Sequence, residues 1–480
     1  MPTQENYHLH PLGWENDPEE ERFKISTLDY LISLTYCNFA IFFPLADEDK
    51  PRVADILKAG LSRTLSQVRN LCGTIEKDPG GGHSFVKKKD STVHFIVQWL
   101  DAPEDSTLYP SFYDLAQRNF CCAALGDLNE WSVPPMTYGE RPEANPDISP
   151  VTAAYKANFV RGGLVLIMHH HHYANDIMGW AGLAHQLAEN CYAVTNKTPF
   201  PPWDPACLDV SRVTKPEVPE EFKVDGRPAP QHHPDHIPAE MLLFHLPKSK
   251  AAELKKLMLA GLPEGTRIST YDAFSAFLWR TVSRLRAPVF KTDLSEPLFW
   301  SEAVDMRRRM HSPEVPPRLQ HCLISAALST TAPVKAPTAA EVISEWPLPK
   351  LALYIREMTN STTQEALDDM LTAIAPIRDK SALNLRIDSC PPMSILQTDH
   401  RDANITSADF GFAKPAVYRH LFDRMTQGVI VIYPPRDPGP ESDEGPEFSI
   451  TYEISLKLAL IEDVEWCKYF EYRGVDAIDA

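Results

Sequence analysis

The chain offers no cysteine pattern of a metal finger or a redox pair. Its nine cysteines are scattered, and the one adjacent pair, Cys121-Cys122, has no companion at two-residue spacing. Neither a disulfide framework nor a zinc site is suggested, and reduced thiols are expected. Excess positive charge is missing as well: 47 Lys and Arg stand against 65 Asp and Glu, a net charge of -18. A surface of that sign repels nucleic-acid phosphates and anionic lipid, so neither is an expected partner. No stretch matches the roughly 20 nearly uninterrupted apolar residues of a membrane span. The most apolar one, Tyr30 to Ala46, is broken by Ser33, Thr35, Asn38 and Pro44 and reads as a buried helix-to-strand segment. Met1-Pro-Thr-Gln-Glu lacks the form of a signal peptide, and Ala477-Ile-Asp-Ala480 is neither a peroxisomal address nor a prenylation box. A cytoplasmic protein is the expectation. The glycine loop Pro79–Gly82 has no following G-K-[ST], which disfavours a phosphate cradle. Neither G-x-S-x-G nor a cysteine nucleophile motif occurs, which points away from a covalent enzyme intermediate.

What is present suggests two domains. At 480 residues the chain exceeds one compact core, and its 43% hydrophobic and 23% charged residues are those of a soluble globular protein. Prolines number 43, a sign of long connections. They crowd the segment from about 198 to 240, with Pro199, Pro201, Pro202, Pro205, Pro216, Pro219, Pro228 and Pro230. We therefore expect a first domain over 1–200, a crossover over 201–240 and a second domain over 241–480. Strands are expected over 39–43, 94–100, 152–160, 164–168, 241–246, 428–433 and 448–454. Val53, Leu57, Leu61, Leu65 and Val68 repeat at helical spacing. So do Trp180, Leu183, Ala184, Leu187, Ala188 and Cys191, which places an amphipathic helix just after Asp176. A basic helix carries Lys248, Lys250, Lys255 and Lys256, Ser269 and Asp272 fit a capping box, and a last helix is predicted over about 457–472. The fold class is mixed α/β. No heptads or long exposed edges are evident, so a monomer is expected.

The chemistry concentrates where an apolar run ends in His169-His-His-His172. Neighbours on a strand point to opposite faces, so the four rings cannot converge on one ion, and no metal is expected. His172 and Asp176 form the only H-x-x-x-D, at a strand-to-helix junction. A neutral imidazole there is suited to take a proton from a hydroxyl. The Asp176 carboxylate could orient the ring or form an ion pair that shapes the loop; the second is the favoured expectation. Asn175 and Gly179 permit the tight backbone.

With these residues in view, the chain resembles the BAHD superfamily of CoA-dependent acyltransferases, most of all its fungal trichothecene 3-O-acetyltransferase branch. The resemblance runs through Asn158–Gly179, Ile268–Arg286, Ala303–Arg307, Asp409–Pro415 and Glu465–Tyr469. It implies two similar mixed-sheet α/β domains of the chloramphenicol acetyltransferase type, with a solvent channel between them. It implies acyl-CoA, acetyl-CoA in particular, as co-substrate rather than a permanent cofactor. The partner would be a small-molecule alcohol, such as a hydroxylated terpenoid or polyketide of fungal secondary metabolism. His172 would be the general base, and Asp176, Gly179, Arg307, Asp409 and Gly411 would be structural, with Asp409 paired to Arg307. CoA would lie near Lys256, Ser269 and Thr270. The chain departs from the D-F-G-W-G signature at Phe412 and Ala413; lacking an N–H, Phe412 cannot donate to an oxyanion. The extra histidines are a second departure, and His171, on the other strand face, is a candidate to line another pocket. The alternatives are N-acylation or condensation chemistry on the same fold, or a non-catalytic small-molecule binder.

Overall fold

A computed structural model of the chain describes residues 2–134, 136, 144–383, 386–422, 424–437 and 439–479. Apolar and β-branched runs form the central strands of two large sheets, as expected of segments buried on both faces. The first sheet has the order β1 (Thr3–Leu9), β6 (Val93–Trp99), β7 (Ala153–Val160), β8 (Gly163–His171), β3 (Tyr36–Pro44) and β13 (Val417–His420). The second runs β11 (Ile324–Leu328), β10 (Trp300–Asp305), β12 (Ile395–Asp399), β14 (Val429–Tyr433), β15 (Glu447–Glu453), β9 (Ala239–His245) and β16 (Glu471–Ile478). A small sheet of β2 (Glu20–Lys24), β5 (His83–Lys88) and β4 (Thr74–Lys77) flanks the first. The class is mixed α/β with two sheet-containing halves, as the sequence predicts.

Helices cover the sheets. In the first half, α1 (Lys50–Gln67) packs along α4 (Ile177–Asn196), with the short α2 (Phe112–Gln117) and α3 (Leu128–Trp131) between them in the chain. In the second half, α5 (Lys248–Ala260), α6 (Thr270–Phe290) and α7 (Leu348–Asn360) pack together, followed by α8 (Gln364–Ile374) and α9 (Lys457–Ile461). The α1 stripe Val53, Leu57, Leu61, Leu65 is buried with Phe39, Ile41, Leu183 and Leu187 in one core. Ala273, Phe274, Phe277, Leu278 and Val282 of α6 anchor the other, beside Trp300, Ile430 and Phe448. Ser269 caps α6 reciprocally with Asp272, the predicted capping box.

The two sheets are tied by buried charge. Strand β13 comes from the second half of the chain yet completes the first sheet beside β3. Its Arg419 reaches Glu447 of β15 in the second sheet at 2.6 Å, both side chains fully buried. Arg473 of β16 meets the same carboxylate at 2.8 Å.

The predicted last helix over 457–472 is not formed. Helix α9 stops at Ile461, a short turn covers Trp466–Lys468, and Glu471 already belongs to β16. Asp463 causes the break: its carboxylate accepts from the backbone N–H groups of Glu465 at 3.2 Å and Trp466 at 3.0 Å, starting a new turn. Strand β16 then joins β9 with two register irregularities near Gly474 and Val475, which hide its alternation. No helix among the described residues is long and apolar enough to cross a membrane.

Candidate active site

Strand β8 pairs with β7 on one side and β3 on the other, so its last residues are held from both flanks. The strand ends at His171, His172 opens a short turn, and α4 begins at Ile177. His172 donates its backbone N–H to Thr35 at 2.9 Å, and its carbonyl accepts from the Cys322 thiol at 3.4 Å. Its ring Nδ1 lies 3.0 Å from the Asn175 carbonyl. A carbonyl can only accept, so the ring proton sits on Nδ1 and Nε2 carries the lone pair. Among the described residues no protein group bonds Nε2, and the residue is only half-buried. Burial lowers the His172 pKa below the ordinary imidazole value, against the upward pull of the Asn175 carbonyl and the Asp176 charge. At neutral pH the ring is uncharged.

The three preceding histidines are fully buried and each uses both nitrogens. His169 donates to Asn38 Oδ1 at 2.7 Å and accepts from the Val133 N–H at 3.0 Å. His170 meets the Tyr155 hydroxyl at 2.9 Å and accepts from Asn175 Nδ2 at 3.4 Å. His171 donates to the Ala144 carbonyl at 2.8 Å and accepts from the Tyr173 N–H at 3.1 Å. Burial holds His169 and His170 down to about 3 and His171 to about 4. His171 packs edge-on against Tyr36 and Tyr173. Among the described residues no group of three His, Cys, Asp or Glu side chains is placed to hold a metal ion.

Asp176 caps α4, its Oδ1 accepting from the Gly179 N–H at 2.7 Å. Arg307 reaches across from the second half with Nη2 at 2.8 Å from Oδ1 and Nη1 at 3.0 Å from Oδ2. The Leu323 N–H supplies a fourth bond, 2.7 Å to Oδ2. Four donors occupy the carboxylate, and none of them is the His172 ring. Arg307 also meets Asp305 at 2.8 Å and the carbonyls of Leu319 and His321 at 3.0 and 2.6 Å. The expected Arg307–Asp409 pair is thus absent. Asp409 is exposed and accepts from the Gly411 N–H at 2.8 Å, closing its own loop. The deeper, better-bonded Asp176 takes the arginine instead. Gly179 has no room for a side chain: a Cβ there would meet the Gln320 carbonyl oxygen at 2.5 Å. Gly411 adopts φ +79°, a left-handed conformation, against Tyr192 and Thr195 of α4.

The Asp409–Ala413 loop lies far from the histidine. Phe410 and Phe412 contact Phe43, with ring centroids 4.9 and 5.5 Å away. Phe43 is seven residues along β3 from Tyr36, the partner of His171. At ~3.3 Å per residue that is roughly 23 Å. Nearby, Asp409 lines a cavity of about 370 Å³ with His185, Glu189, Tyr192 and Thr198, on the outer side of α4.

The residues expected to receive CoA sit in the second half. Ser269 is committed to its cap, accepting from the Asp272 N–H at 3.2 Å and donating to Asp272 Oδ2 at 2.8 Å. Thr270 is half-buried in the first turn of α6, and Lys256 is exposed on α5. Sequence reasoning missed the Asn175 carbonyl that fixes the His172 tautomer, and the backbone N–H of Leu323 on Asp176. Both are main-chain groups, invisible to a motif read in side chains.

A family model described as the Transferase family matches residues 15–452. The chain belongs to this family. The BAHD resemblance read from the motifs is borne out, and the expectation of a transferase is met. The chain is 66% identical to Acetyltransferase FGR3 of Gibberella zeae over 476 residues, 99% of this chain and 95% of the relative. It is 26% identical to Trichothecene 3-O-acetyltransferase TRI101 of Fusarium sporotrichioides over 463 residues, 92% of this chain and 94% of the relative. Its fold is similar to that of F. graminearum TRI101 crystallised with ethyl coenzyme A, with a TM-score of 0.78 at 21% identity, covering 95% of this chain and all of the other. Vinorine synthase shares the fold, with a TM-score of 0.67 at 19% identity and 99% of both chains covered.

Proposed function

We propose that the protein is an acyl-CoA-dependent O-acyltransferase, using acetyl-CoA, that esterifies a hydroxyl of a small secondary metabolite such as a terpenoid. One observation carries the mechanism: His172 holds its proton on Nδ1 against the Asn175 carbonyl and leaves Nε2 without a protein partner. The acceptor hydroxyl gives its proton to Nε2 as its oxygen attacks the thioester carbonyl carbon. The carbonyl electron pair moves to oxygen, then returns as the C–S bond breaks, and the thiolate takes the proton back from the imidazolium. Asp176 does not touch the ring. It fixes the turn that carries His172 by capping α4 and pairing with Arg307 from the other half.

The names and bound molecules of the relatives support the donor. Lys256 and the first turn of α6 at Ser269 and Thr270 would receive the CoA phosphates, where an ammonium and a helix N-terminus meet negative charge. Ser269, engaged with Asp272, would contribute through its backbone position rather than its hydroxyl. All nine cysteines are free, in keeping with a reducing cytosol, and one copy of the chain supplies every residue invoked, in keeping with a monomer.

The test is direct. Protein is incubated with acetyl-CoA and a panel of hydroxylated sesquiterpenes and polyketides, and free thiol is followed with product mass. Thiol release that depends on an alcohol, with an acetyl group added to it, is expected. Binding of the alcohols without thiol release would turn the reading toward a binder.

A further inference from the structure

The proposed reaction needs a donor for the oxyanion, and Phe412 can neither donate nor reach. A second histidine offers a donor. His400 stands directly after β12, where its N–H bonds the Ile432 carbonyl at 2.8 Å. Arg401 clamps back onto Asp399 at 2.6 Å, fixing this corner. The residue is only 4% exposed. Among the described residues no group hydrogen-bonds its ring, and Nδ1 is buried with no partner. A buried imidazole left in this way costs about 1–3 kcal/mol unless a bound molecule pairs with it. The buried histidines beside the site, His169 to His171, have no such vacancy.

Its placement is beside the charged cluster that holds the His172 turn. Strands β10 and β12 are parallel neighbours with Ala303 beside Thr398, so His400 stands level with Asp305. Asp305 contacts the same Arg307 that holds Asp176. The Phe39 ring lies 4.1 Å, centroid to centroid, from Trp180, one turn beyond Asp176, and 6.4 Å, edge-on, from His400. The Asp176 charge is close enough to pull the His400 pKa upward against its burial. Burial holds that ring down to about 3, so it is neutral and carries one N–H whenever His172 is active as a base. His420 is also near, but its ring is engaged in a stack on Phe422 at 4.1 Å.

Resting on the acyltransferase reading, we infer that His400 donates its ring N–H to the thioester carbonyl oxygen as that oxygen becomes the tetrahedral oxyanion. The hydrogen bond forms as the C=O electron pair moves onto oxygen, and loosens when the C–S bond breaks and the carbonyl is restored. His172 moves the proton; His400 keeps its own.

Three variants and one spectrum test this. His400→Phe keeps a ring of similar size without a donor, and should lower kcat by ~10²–10³-fold with the acetyl-CoA KM little changed. His400→Asn and His400→Gln restore an N–H, and at least one should recover about tenfold or more of that loss. In the wild-type protein, the stretch of ¹³C-labelled acetyl-CoA should move to lower frequency on binding. His400→Phe with wild-type kcat overturns the inference and leaves the acyltransferase reading standing. So does equal loss in the Phe, Asn and Gln variants, which marks a packing role. If His400→Phe does not fold, an unshifted carbonyl band in the wild-type protein overturns the inference instead, and a shifted one supports it. Wild-type protein that transfers acetyl to no alcohol removes both ideas together.

Discussion

Four consecutive histidines divide into three that are finished and one that is open. His169, His170 and His171 are fully buried, and each ring has a donor on one nitrogen and an acceptor on the other. His172 is half-buried and bonded at Nδ1 alone. The same side chain therefore serves as a core strut three times and as a candidate base once. The difference lies in main-chain position: the first three end a strand flanked on both sides, and the fourth begins the turn that leaves it. A histidine is made reactive by what is left unbonded, and that depends on where the strand stops.

The largest effect should come from the turn that holds His172 open. Asp176→Ala leaves the buried Arg307 guanidinium with Asp305 as its one remaining carboxylate, and loss of one member of a buried pair costs about 3–5 kcal/mol. Denaturant unfolding should show it, with turnover lost alongside stability. The finished histidines should behave differently. His169→Leu leaves Asn38 Oδ1 and the Val133 N–H unpaired, a loss of about 1–3 kcal/mol on unfolding with kcat unchanged.

Acid should sharpen the same contrast. The finished rings titrate at about 3 to 4 when folded and near 6.5 when unfolded. Between those values the unfolded chain binds the extra protons, so stability is fully present above about pH 6.5 and falls as pH drops toward 4. His169→Leu should flatten this slope by about one proton, ~1.4 kcal/mol per pH unit, in chemical unfolding from pH 6.5 to 4.5. The smallest effect is a null. In a double-mutant cycle of Arg307→Met with Asp409→Ala, the two stability changes should add within ~0.5 kcal/mol, since the residues share no contact.

The β7–β8 hairpin, the start of α4 and the α6 cap were legible because each is a local signal: an apolar run, a periodicity, a side chain three residues from its partner. The second halves of the ion pairs were not. Asp176 and Arg307 are 131 residues apart, and nothing in either neighbourhood favours that partner over Asp409. Strand β13 is four residues long and joins a sheet whose other members end near residue 171, which no pattern in Val417–His420 announces. His400 went unread for a related reason: it belongs to no spaced motif, and its meaning lies in a missing hydrogen bond.

If Nε2 of His172 removes the hydroxyl proton, His172→Ala must abolish most of the turnover. Wild type and variant, matched by thermal melting, are compared for alcohol-dependent thiol release from acetyl-CoA at saturating substrate. A folded variant slower by at least ~10²-fold is expected. A folded variant that turns over at the wild-type rate would contradict it.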